Sequence, residues 1–153
     1  MGLDHALIKL KKDSKEQETI CNWRKENHFH KWFIDRYPEG DNGEAEVSFE
    51  DMMDFKETCD DVIETLVKAE PKMKSVLTHQ TCEKGKWINH YEDMPVYDDD
   101  LVEDLLPPQE GFFFGGTTIA RWYLESVIDA KHKVDETLKK HQKGDKYYYW
   151  SWW

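Results

Sequence analysis

Residues 147–153 read YYYWSWW, six rings in seven positions. A terminus this dense in aromatic side chains cannot stay in water without inviting association, so the rest of the chain must cover it or present it to another subunit. Docking across helices as core is the plainer expectation, with homo-oligomerisation close behind. The rings continue upstream: the 153 residues hold seven each of Trp, Tyr and Phe. That content argues for a core built from rings, although 35% of the chain is charged. The length suits one domain, residues 1–153.

The elements that would cover the tail read as helices. From Glu16 to Tyr37 the apolar spacing is helical, and PEGDNG at 38–43 breaks it. Ser48 with Asp51 three residues later forms an N-terminal cap. From there Met52, Phe55, Cys59, Val62, Leu66 and Ala69 continue at steps of three and four until Glu70, before Pro71. A third helix, capped by Thr117 or Thr118, runs to about Lys140 through Tyr123, Val127, Ala130, Val134 and Leu138. Around these lie weaker segments. Residues 1–15 read as a short helix or mobile arm, Lys72–Thr78 as a helical turn or two, and Asp99–Leu105 as a short helix. Residues 79–98 read as a loop or insertion with room for a short strand or hairpin near Trp87. The expected fold is mainly α: three principal helices with short extra helices, and an extended aromatic C-terminal segment able to pair as a small β element.

A formal net charge of −11 sets most of the surface against phosphate backbones and anionic lipid, so neither nucleic acid nor membrane is an expected partner. Cys21, Cys59 and Cys82 are odd in number and form no CxxC pair, which suits reduced thiols in a cytoplasm. No signal peptide opens the chain and no apolar run approaches a membrane span.

The richest stretch is WRKENHFHKWF, residues 23–33. On one helix Ile20, Trp23, Asn27, His30 and Ile34 fall on a single stripe, with Arg24 and Lys31 on its shoulder. Two readings follow. In the first, Asn27 and His30 are core groups that hydrogen-bond to the backbone of the GFFFGGTT turn or of the tail, and Arg24 pairs with one of the many carboxylates or with the C-terminal carboxylate of Trp153. In the second, Trp23, Arg24, Asn27 and His30 line a cleft closed by the Phe112–Phe114 turn and the Trp152–Trp153 tail. Rings there stack on a planar base, while Arg24 and backbone N–H groups near Thr117 hold phosphate. The candidate ligand-binding set is then Trp23, Arg24, Asn27, His30, Phe113, Thr117 and Trp153. Catalytic patterns are missing: there is no HExxH, Walker loop or GxSxG. His28 and His30 diverge by roughly 200° on a helix, so they cannot chelate one ion from it. Neither a catalytic residue, a metal nor a cofactor is expected.

Four segments carry a resemblance: Trp23-Arg24-Lys25 with Asn27, His30 and Trp32-Phe33; the capped central helix; Leu106 to Gly115 with Thr117; and the aromatic tail. In this order the chain resembles a family of small phage and prophage proteins sharing WRKxNxxHxWF, LxPxxGFFFGxT and YYxSSW-like motifs. It departs from that pattern in a longer stretch from Pro71 to Asp98, in residues 118–121, which lack the acids usual after the Thr, and in Trp150-Ser151-Trp152. The resemblance implies a phage-encoded protein in the cytoplasm of a bacterial host, and no enzymatic activity. The expected function is an accessory protein that binds and sequesters a small nucleotide-like host signalling molecule, a counter-defence sponge. The alternative is an acidic interaction factor that binds and inhibits a host protein.

Overall fold

The computed structural model describes residues 2–111 and 113–153. In chain order its elements are β1 (Asp4–Leu10), β2 (Gln17–Arg24), α1 (Asn27–Arg36), β3 (Glu44–Val47), α2 (Phe49–Lys68), β4 (Lys72–Glu83), β5 (Lys86–Val96), α3 (Arg121–Lys139) and β6 (Lys146–Trp152). Short 3₁₀ turns lie at Pro38–Gly40 and Asp99–Leu101. This is a mixed α and β fold, and the mainly α expectation is corrected by two antiparallel sheets, one of four strands and one of two.

The largest correction falls on residues 16–37. Their helical spacing is numerically sound, but Thr19, Ile20, Cys21 and Trp23 favour strand, and Cys21 and Trp23 alternate as buried against exposed Asn22 and Arg24. The chain changes from strand to helix at Lys25, which takes a left-handed conformation at φ +64°. β1 likewise replaces the helix or arm expected over residues 1–15. Met1 and Phe112, which fall within the expected arm and the expected turn, lie outside the described residues.

The four-stranded sheet has the order β2-β1-β6-β3, every pair antiparallel. Register puts His5 opposite Trp23 and Ser151, and Leu7 opposite Cys21 and Tyr149. Side chains on directly paired residues share a face, so Trp23, Leu7, Tyr149, Tyr147 and Val47 look to one side. There they join Phe29, Phe33, Phe55, Val62, Tyr123 and Val127 of the three helices in one core. Phe33 stacks on Tyr149 at 4.5 Å and 10°. Thus Tyr147 and Tyr149, two of the six tail aromatics, are core. Tyr148, Trp150 and Trp152 stand on the opposite face, where Trp152 is 66% exposed.

α2 is the helix that its cap announces: Ser48 Oγ accepts the Asp51 N–H at 3.1 Å. α3 starts at Arg121 with Ala120 as its first flanking residue, and neither Thr117 nor Thr118 caps it. Residues 72–96, expected as a helical turn and then a loop with room for a short strand or hairpin near Trp87, form one long hairpin of β4 and β5. Its two-residue turn uses positive φ at Lys84 and Gly85, the geometry that matches the twist of paired strands. Met73, Leu77, Tyr91 and Trp87 share one of its faces and are exposed, Trp87 at 72%.

Candidate functional site

Asn27, the first residue of α1, is fully buried. Its Nδ2 donates to the carbonyls of Phe114 at 2.9 Å and Gly116 at 2.8 Å, and its Oδ1 accepts the Gln109 N–H at 2.9 Å. Both ends of the amide therefore bind the glycine-flanked turn to α1. Trp23 is buried against Phe29 and His5, with ring centroids 4.6 Å and 5.1 Å away. Trp153 lies over the same turn, 5.2 Å from Phe114 and 6.0 Å from Phe113. Its Nε1 donates to Asp41 Oδ1 at 2.7 Å. The fold thus gathers Asn27, His30, Phe113 and Trp153 around one turn, with Trp23 beneath. It does not bring Arg24 or Thr117 to them. Arg24 is 67% exposed on the outer side of β2, 4.0 Å from Asp4 Oδ1. Thr117 lines a shallow depression with Asp99, Asp100, Glu103 and Glu110, surroundings that repel phosphate.

His30 belongs to a buried polar chain. The Tyr149 hydroxyl lies 2.7 Å from His30 Nδ1 and 3.0 Å from His5 Nδ1. A phenol has one proton, so it donates to one imidazole and accepts from the other. Asp41 Oδ1 stands 3.3 Å from His30 Nε2 and favours a proton there. Tyr149 then donates to His30, and His5 Nδ1 donates to Tyr149. That leaves the His5 Nε2 lone pair facing Glu26 Oε2 at 4.0 Å. Burial holds the Glu26 carboxyl above its ordinary range, which favours a proton on that side of the gap. Burial also pulls His5 well below the ordinary histidine range, reinforced by His30 and His28. It lowers His30 too, against the opposing pull of Asp41. His28 stands apart: Ser126 Oγ donates to the Tyr123 carbonyl, so His28 Nε2 donates to Ser126 Oγ at 3.0 Å. Burial takes His28 down to about 3. His5, His30 and Tyr149 tie strands to α1 and His28 ties α1 to α3, and all four side chains are buried.

An open cleft of about 610 Å³ lies elsewhere, where the end of β1 and the turn after it, the start of β2, the last turns of α3 and the turn before β6 converge. Five lysines line it against three carboxylates. Its floor is Asp145, whose side chain is 4% exposed. Asp145 accepts the backbone N–H groups of Lys12 and Gln142, each at 2.8 Å, and lies 3.4 Å from the buried Lys9 Nζ. Burial acts to raise this carboxyl, but the two N–H bonds and Lys9 outweigh it and hold it below the usual range. On the walls Lys11 faces Glu18 at 3.6 Å and Lys133 faces Asp129 at 2.9 Å. Among the described residues Lys12 and Lys140 carry no ion pair, so their charges are available to a ligand. Gly144, at φ +101°, leaves room for the Lys12 stem, which a Cβ there would meet at 3.0 Å.

The cleft residues were visible in the sequence only as basic runs, Lys9 to Lys12 and Lys131 to Lys140, in an acidic chain. Their convergence depends on β1 pairing with β6. Among the described residues no group of three or more His, Cys, Asp or Glu side chains is placed to hold a metal ion. No helix among them is long and apolar enough to cross a membrane. No protein-family model, curated protein or solved structure matches the chain. Its function is therefore argued from its own residues.

Proposed function

We propose that this protein binds and sequesters a small anionic, nucleotide-like molecule without altering it chemically. The observation that carries this reading is the lysine cleft. In a chain of net charge −11, an anion is repelled over most of the surface and attracted where lysines outnumber carboxylates. The cleft volume lies within the span of small-ligand pockets, about 300–1,000 Å³. An ammonium about 4 Å from a phosphate oxygen contributes roughly 4 kcal/mol of gross attraction near a protein surface, before desolvation offsets part of it. The Trp23, Asn27 and His30 face is less suited, since these side chains are buried and the Asn27 amide is engaged at both ends within the fold. The further proposal of a phage-encoded sponge acting in a bacterial host cytoplasm draws on the sequence resemblance.

Thermal melting against mono-, di- and cyclic nucleotides and ADP-ribose derivatives tests the reading. One ligand class should raise Tm by several degrees, because a molecule bound only to the native state stabilises it. Lys12→Gln with Lys140→Gln should abolish the shift and leave the ligand-free Tm within about a degree, both side chains being unpaired surface groups. A flat panel, or a shift that survives this variant, sinks the reading. A second reading, an acidic factor that engages a host protein, is favoured by the exposed Met73, Leu77, Trp87 and Tyr91 face of the hairpin. Pull-down from host lysate with and without the hairpin separates the two.

A further inference from the structure

We propose that the cleft selects its ligand by phosphoryl groups alone, taking a molecule with two or more of them and leaving its organic part unread. This rests on the cleft being the ligand site.

The lining carries the inference. The chain contains seven each of Trp, Tyr and Phe, yet among the described residues none of these rings lines the cleft; its one ring is the His132 imidazole and its one aliphatic side chain is Ile20. A purine or nicotinamide ring would find no Trp, Tyr or Phe to stack on and at most one imidazole edge or face. What the walls offer instead are hydroxyl and amide donors, from Ser14, Thr19, Thr137 and Gln142, set among the ammonium groups. These are partners for phosphate oxygens.

The arrangement of charge favours an extended anion. Lys9 is already matched by Asp145, Lys11 by Glu18 and Lys133 by Asp129, so a monoanion gains little from them. The unmatched ammonium groups, Lys12 and Lys140, come from different walls, one on the turn after β1 and the other at the end of α3. Lys133 and Lys140 are separated by seven positions, which is about 10 Å along a helix axis. A chain of phosphoryl groups engages both walls and several lysines at once. Nucleoside polyphosphates and inorganic polyphosphates share this chemistry.

Calorimetric titration of the full chain with inorganic tripolyphosphate, ATP, AMP and adenosine tests the proposal. Tripolyphosphate and ATP should bind within about threefold of each other, AMP at least about tenfold more weakly, and adenosine not at all. Lys12→Gln with Lys140→Gln should weaken tripolyphosphate by about tenfold or more. If ATP binds and tripolyphosphate does not, or AMP matches ATP, the organic part is read. The proposal is then overturned while the cleft remains the ligand site. If none of the charged probes binds, the proposal is overturned, and the ligand-site reading falls with it only if the melting panel is flat as well.

Discussion

Asn27 shows how a single amide can hold a fold together. Asn27→Ala would leave the carbonyls of Phe114 and Gly116 and the Gln109 N–H without their partner. The expected loss is about 3 kcal/mol in urea or guanidinium unfolding, since each buried orphan costs on the order of 1–3 kcal/mol and some relax toward water. Asn27→Asp should be no better, because a carboxylate would face two carbonyl oxygens. The buried histidines set the pH response. Their folded-state pKa values lie below the unfolded value of 6.5. Between those values the unfolded chain binds more protons, so stability present above pH 6.5 is lost as pH falls. Glu26, raised by burial, works in the opposite sense but alone. Unfolding free energy should therefore drop between pH 7 and pH 5. His28, reaching about 3, would account for about 5 kcal/mol once both states are protonated. A buried amide on an apolar pattern must find partners, which is why the turn backbone could be named for Asn27 from sequence, whereas His30 meets the Tyr149 hydroxyl rather than the expected backbone. His5 and Asp41 could not, because His5 meets Tyr149 across 144 positions.

At the scale of elements, legibility follows how locally each element is determined. α2 carries its own cap and an unbroken spacing of three and four, so sequence located it to within a residue or two. Residues 17–36 satisfy helical spacing through two different elements, and the left-handed Lys25 that divides them leaves no mark a lysine would advertise. β4 and β5 lack clean alternation because both of their faces meet solvent over most of their length. That exposure makes a prediction. The hairpin contributes no side chain to the main core cluster. Replacing residues 74–94 with a short Gly-Ser turn should shift unfolding free energy by no more than about 1 kcal/mol, as for other surface excursions. A larger loss in denaturant titration would mean that the hairpin supports the body of the protein.

At the scale of the whole molecule, charge and architecture meet in the cleft. Net charge could be read from composition, but the place where it reverses depends on three chain segments brought together by sheet pairing. Screening offers a check: raising ionic strength from about 0.05 M to about 0.5 M should shrink a ligand-induced Tm shift, because exposed lysines lose reach as the Debye length falls. An unchanged shift would point to a ligand held by apolar contact. The position of β6 has its own consequence. It lies between β1 and β3, so neither reaches its final neighbour until Tyr147 to Ser151 have emerged from the ribosome. A nascent chain stopped after α3 would own all three helices and the β1–β2 pair, but with an open strand edge and Leu7, Phe33 and Val47 missing the rings that cover them. The four-stranded sheet would thus stay open until β6 has been made, and its closure would come as one cooperative event.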